Sequence, residues 1–346
     1  MKISTLNPVR SEMTCRVAFV AMLLLLAGCR KGGEMPKLSI TTVATGLAAP
    51  MGIETENNGN IWVSENGTGN DDAKVVVIRP NGKQYDAIVN LSSITNEQSG
   101  ELQGTVHILR DGGILYVLSG NYLYRADISH FKPGDTPMDA ATIPFEDIAA
   151  FVFSYPFVND ANDSHPYNLT KGPDGDLYIA DAGANAIIHR KSAGNYSILA
   201  EIPAIPNPLF PGVGGPTVQS VPTSIQYNGR DFLVTTLTGF PFPQGQAIVY
   251  KVSRSGDVSV YQKGFTMLVD QEEGDYANRI VVQYAASFGL PGGFAPNSGA
   301  LLWINGVSNE VLTGGLSMPV GIKKANNHTW YVTCLGDGTV LKVSYH

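Results

Sequence analysis

Pro166-Tyr167-Asn168-Leu169, then a polar turn at Asp174-Gly175-Asp176-Leu177, then Tyr178-Ile179-Ala180-Asp181: this stretch decides the fold, because the chain repeats it. Pro50-Met51-Gly52-Ile53 leads through Gly59-Asn60-Ile61 into Trp62-Val63-Ser64-Glu65. Pro319-Val320-Gly321-Ile322 leads through Asn327-His328-Thr329-Trp330 into Tyr331-Val332-Thr333-Cys334. In all three the proline stands 12 residues before the aromatic. Weaker copies lie at Tyr116-Val117-Leu118-Ser119, at Leu233-Val234-Thr235-Thr236 after Pro222, and at Val281-Val282-Gln283-Tyr284. The six strand positions Trp62, Tyr116, Tyr178, Leu233, Val281 and Tyr331 are separated by 54, 62, 55, 48 and 50 residues. A period near 50 with several short strands per unit is the signature of an all-β propeller.

Working outward, most units read as a short apolar strand, a polar turn such as Asn58-Gly59, Asp111-Gly112, Asp174-Gly175 or Asn228-Gly229, and a β-branched and aromatic strand. Asn-Gly and Asp-Gly adopt the positive φ of tight hairpins at little cost. Two more strands follow, as in Val75 to Arg79, the turn Pro80-Asn81-Gly82, and Tyr85 to Val89. The spacing therefore predicts a six-bladed β-propeller of four-stranded blades over residues 38–346. The last unit stops one strand short at Val340-Leu341-Lys342-Val343, while Leu38 to Gly46 has no partner of its own. That segment is expected to complete the last blade and so close the ring. Five or seven blades, or an open stack of sheets, are the alternatives.

Composition agrees. Of 346 residues, 43% are hydrophobic and 15% charged, which excludes a disordered chain. With 23 Lys+Arg against 30 Asp+Glu the net charge is −7, which argues against nucleic acid as a partner. The 38 Gly and 21 Pro indicate many turns.

The amino terminus has a different character. Val17 to Gly28 is an apolar run of 12 residues preceded by Lys2, Arg10 and Arg16. It is short for a membrane span and suits a secretory signal over residues 1–28. It ends in Leu26-Ala27-Gly28-Cys29, which resembles a bacterial lipobox, in which the cysteine takes a diacylglycerol and becomes the first residue of the mature protein. Residues 29–37 then form the lipidated cysteine and a short tether, and Arg30 in place of Asp points to the outer membrane, on its periplasmic side or at the cell surface. Met13 is an alternative start, since Arg16 and the apolar run remain. Cys15 falls in the leader, so Cys334 is alone in the folded region and makes no internal disulfide.

Several stretches resemble the ScyD/ScyE family: Val221-Pro222-Thr223-Ser224, Leu237-Thr238-Gly239-Phe240-Pro241-Phe242-Pro243, Phe265-Thr266-Met267-Leu268-Val269-Asp270, Asp147 to Phe151, and Asp163-Ser164-His165-Pro166-Tyr167. The resemblance spans about residues 38–346 and implies a six-bladed propeller, with no settled reaction to carry over. Thr236 stands where that family usually has an acid, and His165 where it usually has Asn.

The repeat alignment puts Glu65, Ser119, Asp181, Thr236, Tyr284 and Cys334 at the strand ends expected to face the central mouth. Convergent polar groups in a concavity are the default ligand site. Glu65 and Asp181, with Asn66 and Asn185 nearby, offer oxygens to Ca²⁺, which takes six to eight; alternatively, both carboxylates accept hydrogen bonds from adjacent backbone turns. His107 and His165 fall close to the same channel, where an imidazole beside a carboxylate acts as a base near neutral pH. There is no Gly-x-Ser-x-Gly, His-Glu-x-x-His, phosphate loop or Cys-x-x-Cys. The sequence supports an envelope-anchored propeller that binds a small molecule, glycan or envelope protein at its mouth. The alternative is a Ca²⁺-dependent hydrolase resembling the gluconolactonase propellers.

Overall fold

The computed structural model describes residues 38–345 apart from 98–99, 159–161 and 276–277. The predicted leader over 1–28, Cys29 and the tether over 29–37 lie outside the described residues. Six sheets follow one another along the chain, each with four antiparallel strands that run in sequence order from the inside out except in the last, and the first adds a short fifth strand, Met138–Asp139, parallel at its outer edge. The innermost strands are Pro50–Thr55, Thr105–Asp111, Pro166–Lys171, Pro222–Tyr227, Leu268–Glu273 and Pro319–Asn326. Each packs against the next, and the sixth against the first, so the sheets form a closed ring of six blades. The last blade takes Leu38–Ala44 as its outer strand, beside Thr339–Tyr345. Both the blade number and the closure by the amino-terminal strand are as the repeat predicted.

The second strands are Ile61–Glu65, Ile114–Ser119, Leu177–Asp181, Phe232–Thr236, Arg279–Gln283 and Thr329–Cys334. They carry the aromatic signature of the repeat because they lie between the inner and third strands, with both faces covered by neighbouring blades. Val63, Ile179, Val234, Val281 and Val332 are fully buried there. Apolar layers fill the gaps between blades, as where Trp62 and Val75 meet Ile108, Leu115 and Val117.

The inner strands obey a stricter rule. In all six, the ladder to the second strand slips by a residue or more near its start. Such bulges sharpen the twist and re-aim side chains. In blades 1 and 6 a glycine, Gly52 or Gly321, sits at this bulge. A Cβ on Gly52 would stand 2.7 Å from His107 Cα, and one on Gly321 would meet the Met51 carbonyl oxygen. Hydroxyls of the second strands pin this seam. Ser64 Oγ accepts from Gly52 N at 2.8 Å and donates to Val106 O of blade 2. Thr333 Oγ1 accepts from Gly321 N at 2.9 Å and donates to Met51 O of blade 1, joining the last blade to the first.

Candidate functional site

Because the inner strands run down the axis, every second residue points into it. Counting from each strand's start, the third residues are Gly52, His107, Asn168, Ser224, Asp270 and Gly321. The fifth are Glu54, Leu109, Thr170, Gln226, Glu272 and Lys323. All six strands contribute to an axial cavity of about 60 Å³, room for roughly four to six waters and no organic substrate.

The upper level is a hydrogen-bonded network. Asn168 Nδ2 donates to Asp270 Oδ1 at 3.2 Å and stands 3.2 Å from His107 Nδ1. Asp270 also accepts from the backbone N–H of Gln271 at 2.8 Å and of Ile322 at 2.9 Å. Burial pushes the Asp270 carboxyl up to about 7 in spite of these donors. Burial, with the Lys323 charge adding to it, pulls His107 down to about 3, so its imidazole is neutral. A neutral ring that accepts at Nδ1 carries its proton on Nε2, and Nε2 has no partner. At the lower level Lys323 Nζ meets Glu54 Oε1 at 2.9 Å, and Gln226 Nε2 donates to Glu272 Oε1 at 2.7 Å, leaving Gln226 Oε1 unpartnered. Burial raises Glu54 although Lys323 opposes it. Burial disfavours the charge on Lys323, but Glu54 and Glu272 outweigh it and raise the pKa of the ammonium.

The cavity has a floor and a roof of different character. On the side of the first-to-second-strand turns it shares Gln226, Glu272 and Lys323 with a wider hollow of about 400 Å³. On the other side Tyr167 packs its ring 5.2 Å from that of His107, in one apolar cluster with Met51, Val106, Val320 and Tyr284.

The residues expected at the mouth are one strand further out, with the exception of His107. Glu65, Ser119, Asp181, Thr236 and Cys334 end the second strands, with Tyr284 one residue beyond, and none lines the axial cavity. Three of them fasten the lead-in to their own inner strand. Glu65 Oε2 accepts from Ala48 N at 2.5 Å, Ser119 Oγ from Thr105 Oγ1 at 3.0 Å, and Asp181 from His165 N at 2.7 Å, Ser164 Oγ at 2.8 Å and Ala184 N at 2.9 Å. Burial raises the pKa of both Glu65 and Asp181, which these bonds only partly offset. Thr236 Oγ1 bridges Ile248 N and O at 2.9 Å each, and Tyr284 OH donates to Met318 Sδ at 3.2 Å. Asn66 Nδ2 donates to Leu102 O at 3.2 Å. His165 is half-buried, its ring 6.2 Å from Tyr167. Burial pushes the Cys334 thiol up to about 12, so it is no nucleophile. On the same face Phe242 packs 4.9 Å from Phe288 and 5.1 Å from Phe294, while Phe240 is 51% exposed.

Sequence reasoning missed Asp270, Asn168, Ser224, Glu54, Glu272 and Lys323. The signal was present: they are the third and fifth residues of the strands that begin at Pro50, Pro166, Pro222, Leu268 and Pro319. These residues fit a small hydrated cation. Three carboxylates face one ammonium, and the buried acceptor Gln226 Oε1 lines the space without a protein partner, while the His107 Nε2–H, also unpartnered, is a donor suited to a water of such an ion. Asp270, Asn168 and Ser224 supply oxygens at one level, and Glu54 and Glu272 at the next.

No family model and no curated protein matches the chain. Solved structures do. A PQQ-bound aldose sugar dehydrogenase from Streptomyces coelicolor aligns over 91% of this chain and 100% of its own, with TM-score 0.59 and 13% identity. A structure described as a putative gluconolactonase aligns over 89% and 92%, with TM-score 0.54 and 11% identity. A putative oxidoreductase (glucose dehydrogenase) from Thermus thermophilus aligns over 89% and 100%, with TM-score 0.54 and 13% identity. At this identity the likeness is one of fold.

Proposed function

We propose that the chain is a binding propeller of the bacterial cell envelope, held at the outer membrane by a lipid on Cys29. Its axis holds a small cation such as Ca²⁺, and the face bearing the second-strand ends receives a small molecule, glycan or envelope protein. The observation that carries this reading is the small size of the axial cavity. A polar cavity of about 60 Å³ beneath an apolar roof suits an ion and its waters and excludes a sugar or lactone. The resemblance to the ScyD/ScyE propellers and the lipobox-like Leu26-Ala27-Gly28-Cys29 support a location outside the cytoplasm, and the net charge of −7 disfavours nucleic acid. Glu65, Asn66, Ser119, Asp181, Thr236, Tyr284 and His165 then serve the binding face chiefly by fixing its loops.

A second reading, a metal-dependent hydrolase, draws on one observation: a neutral imidazole, His107, lies beside Asn168 and the carboxylate of Asp270. The putative gluconolactonase among the structural neighbours is in keeping with it. In that reading Asp270, Asn168 and Ser224 would hold an ion that would supply a Lewis acid, and His107 would be the group beside it able to move a proton.

The deciding experiment uses residues 30–346. Bound metal is measured, together with the melting temperature in Ca²⁺ and in EDTA, for the wild type and Asp270→Asn. One equivalent of Ca²⁺ and a melting temperature lowered by EDTA, both lost in the variant, are expected; saturation at 100 times Kd stabilises by about 2.7 kcal/mol. No metal and no shift would remove the cation from the proposal. Hydrolysis of a lactone or ester panel that disappears in His107→Gln would favour the enzyme. Release of the full-length protein from the membrane fraction by Cys29→Ala tests the anchor.

A further inference from the structure

Blade 3 carries a second cluster of ligating side chains, which does not line the axial cavity. Asp174 and Asp176 sit on the turn between Pro166–Lys171 and Leu177–Asp181, and His189 lies on the third strand, Ala186–Ser192. His189 is the direct cross-strand partner of Tyr178, and the two rings stack at 4.3 Å and 7°. Tyr178 is itself fixed. Phe232 of blade 4 packs against it at 4.3 Å, and its ring fills the space that a side chain on Gly172 would need. The plane of the imidazole is therefore set by buried packing.

Nε2 of that imidazole stands 2.8 Å from Asp176 Oδ2 and 3.8 Å from Asp174 Oδ2, and one ligand atom from each residue falls within 4.8 Å of the others. Tyr178 OH donates to Asp174 Oδ2 at 2.9 Å. Ligands about 2.0–2.1 Å from a tetrahedral Zn²⁺ stand roughly 3.3 Å apart, which the distances found here bracket. One imidazole with two carboxylates prefers a first-row transition ion to Ca²⁺.

Asp174 and His189 line one wall of a cleft of about 550 Å³, and blade 4 supplies the other wall with Arg230, Asp231, Arg254, Ser253 and Ser255. Arg230 pairs with Asp231 and both serine hydroxyls donate to Asp257, which leaves the Arg254 guanidinium as the group that can receive an oxyanion in the cleft. We propose that Asp174, Asp176 and His189 bind Zn²⁺, and that the cleft seats a small oxyanion, a carboxylate or a phosphate, between the ion and Arg254. This site is independent of the axial one and of the function proposed above.

The test is calorimetric titration of residues 30–346, free of any affinity tag, with Zn²⁺. One equivalent is expected in the wild type, with Co²⁺ giving the visible absorption of a tetrahedral site. His189→Phe keeps a ring on Tyr178 and removes the ligand, so it should weaken binding by at least about 100-fold while the melting temperature in EDTA stays close to wild type. Asp270→Asn should leave Zn²⁺ binding unchanged, which separates failure here from failure at the axis. Inorganic phosphate should tighten Zn²⁺ binding in the wild type and not in Arg254→Ala. Absence of stoichiometric Zn²⁺ binding by the folded wild type, or binding that survives both His189→Phe and Asp176→Asn, would overturn the site; phosphate having no effect would overturn its anion.

Discussion

His107 and Asp270 titrate in opposite senses, and the axis is where that difference becomes measurable. Asp270 has a folded pKa of about 7, against roughly 3.9 when unfolded. Between those values the native chain holds a proton that the unfolded chain has released, so its contribution is complete below about pH 4 and is lost as the pH rises to 7. His107 has a folded pKa of about 3, against roughly 6.5 when unfolded. Its contribution is complete above 6.5 and is lost as the pH falls. From pH 4 to 6.5 the two slopes, each about 1.4 kcal/mol per unit, cancel. In EDTA, His107→Gln should therefore lose stability relative to wild type as the pH rises through that window, and Asp270→Asn should gain it. Denaturant unfolding at several pH values reads both; profiles parallel to wild type would mean that neither group titrates as its burial requires. Of these two residues only His107 was picked out from the sequence. Asp270 closes the run Phe265 to Asp270, quoted for its family resemblance, but its aim into the axis follows from a bulge that leaves no mark in the hydrophobic pattern.

At the scale of the element, the inner strand explains both what the sequence revealed and what it hid. Aromatic and β-branched residues mark a strand covered on both faces, which is why the repeat was legible. The same residues also suggested that this strand was the innermost one, an inference the structure corrects. The true inner strands mix apolar residues that pack between blades, such as Ile53, Ile108, Leu169, Ile225 and Ile322, with Gly and polar residues aimed at the axis, so they carry a weaker aromatic and β-branched signature than the second strands. Their lead-ins are also unusual: Ala49, Val221, Met267 and Met318, each immediately before an inner strand, have φ between 47° and 57°. A left-handed L-residue costs roughly 1–2 kcal/mol, and glycine adds back about 0.5–1 in chain entropy. Ala49→Gly is therefore expected to raise stability by up to about 1 kcal/mol. Gly52→Ala should do the reverse, since its Cβ would stand 2.7 Å from His107 Cα and 2.9 Å from Ile108 N, and overpacking of this kind costs about 1–3 kcal/mol. Urea midpoints for the two variants should move in opposite directions, and a shift of the same sign in both would refute this account of the seam.

For the whole molecule, the decisive contact is the one that closes the ring. A propeller lacking its last outer strand exposes the edge of Thr339–Tyr345 and uncovers the layer in which Ala44 and Leu47 pack with Val63, Val76 and Val340. The closure has two parts, the outer strand Leu38–Ala44 and the Thr333 hydroxyl, which reaches Met51 O across the seam between blades 6 and 1. Removing the hydroxyl alone, in Thr333→Val, leaves the buried Gly321 N–H and Met51 carbonyl each short of a partner. That should cost about 1–3 kcal/mol, with a single unfolding transition preserved, because the inner strands still contact one another all the way round. Deleting residues 30–44 from a protein of residues 30–346 should cost more. Seven strand residues lose their ladder, and loss of about 4 kcal/mol would lower the melting temperature of a domain of this size by roughly 6 °C. Calorimetry of both forms distinguishes closure from decoration. If the ring is the cooperative unit, the truncated protein melts earlier and a synthetic peptide of residues 38–46 added in trans restores part of the loss. Equal melting temperatures would show instead that blades 1 to 5 with a three-stranded sixth are sufficient, and that the amino-terminal strand merely covers an edge.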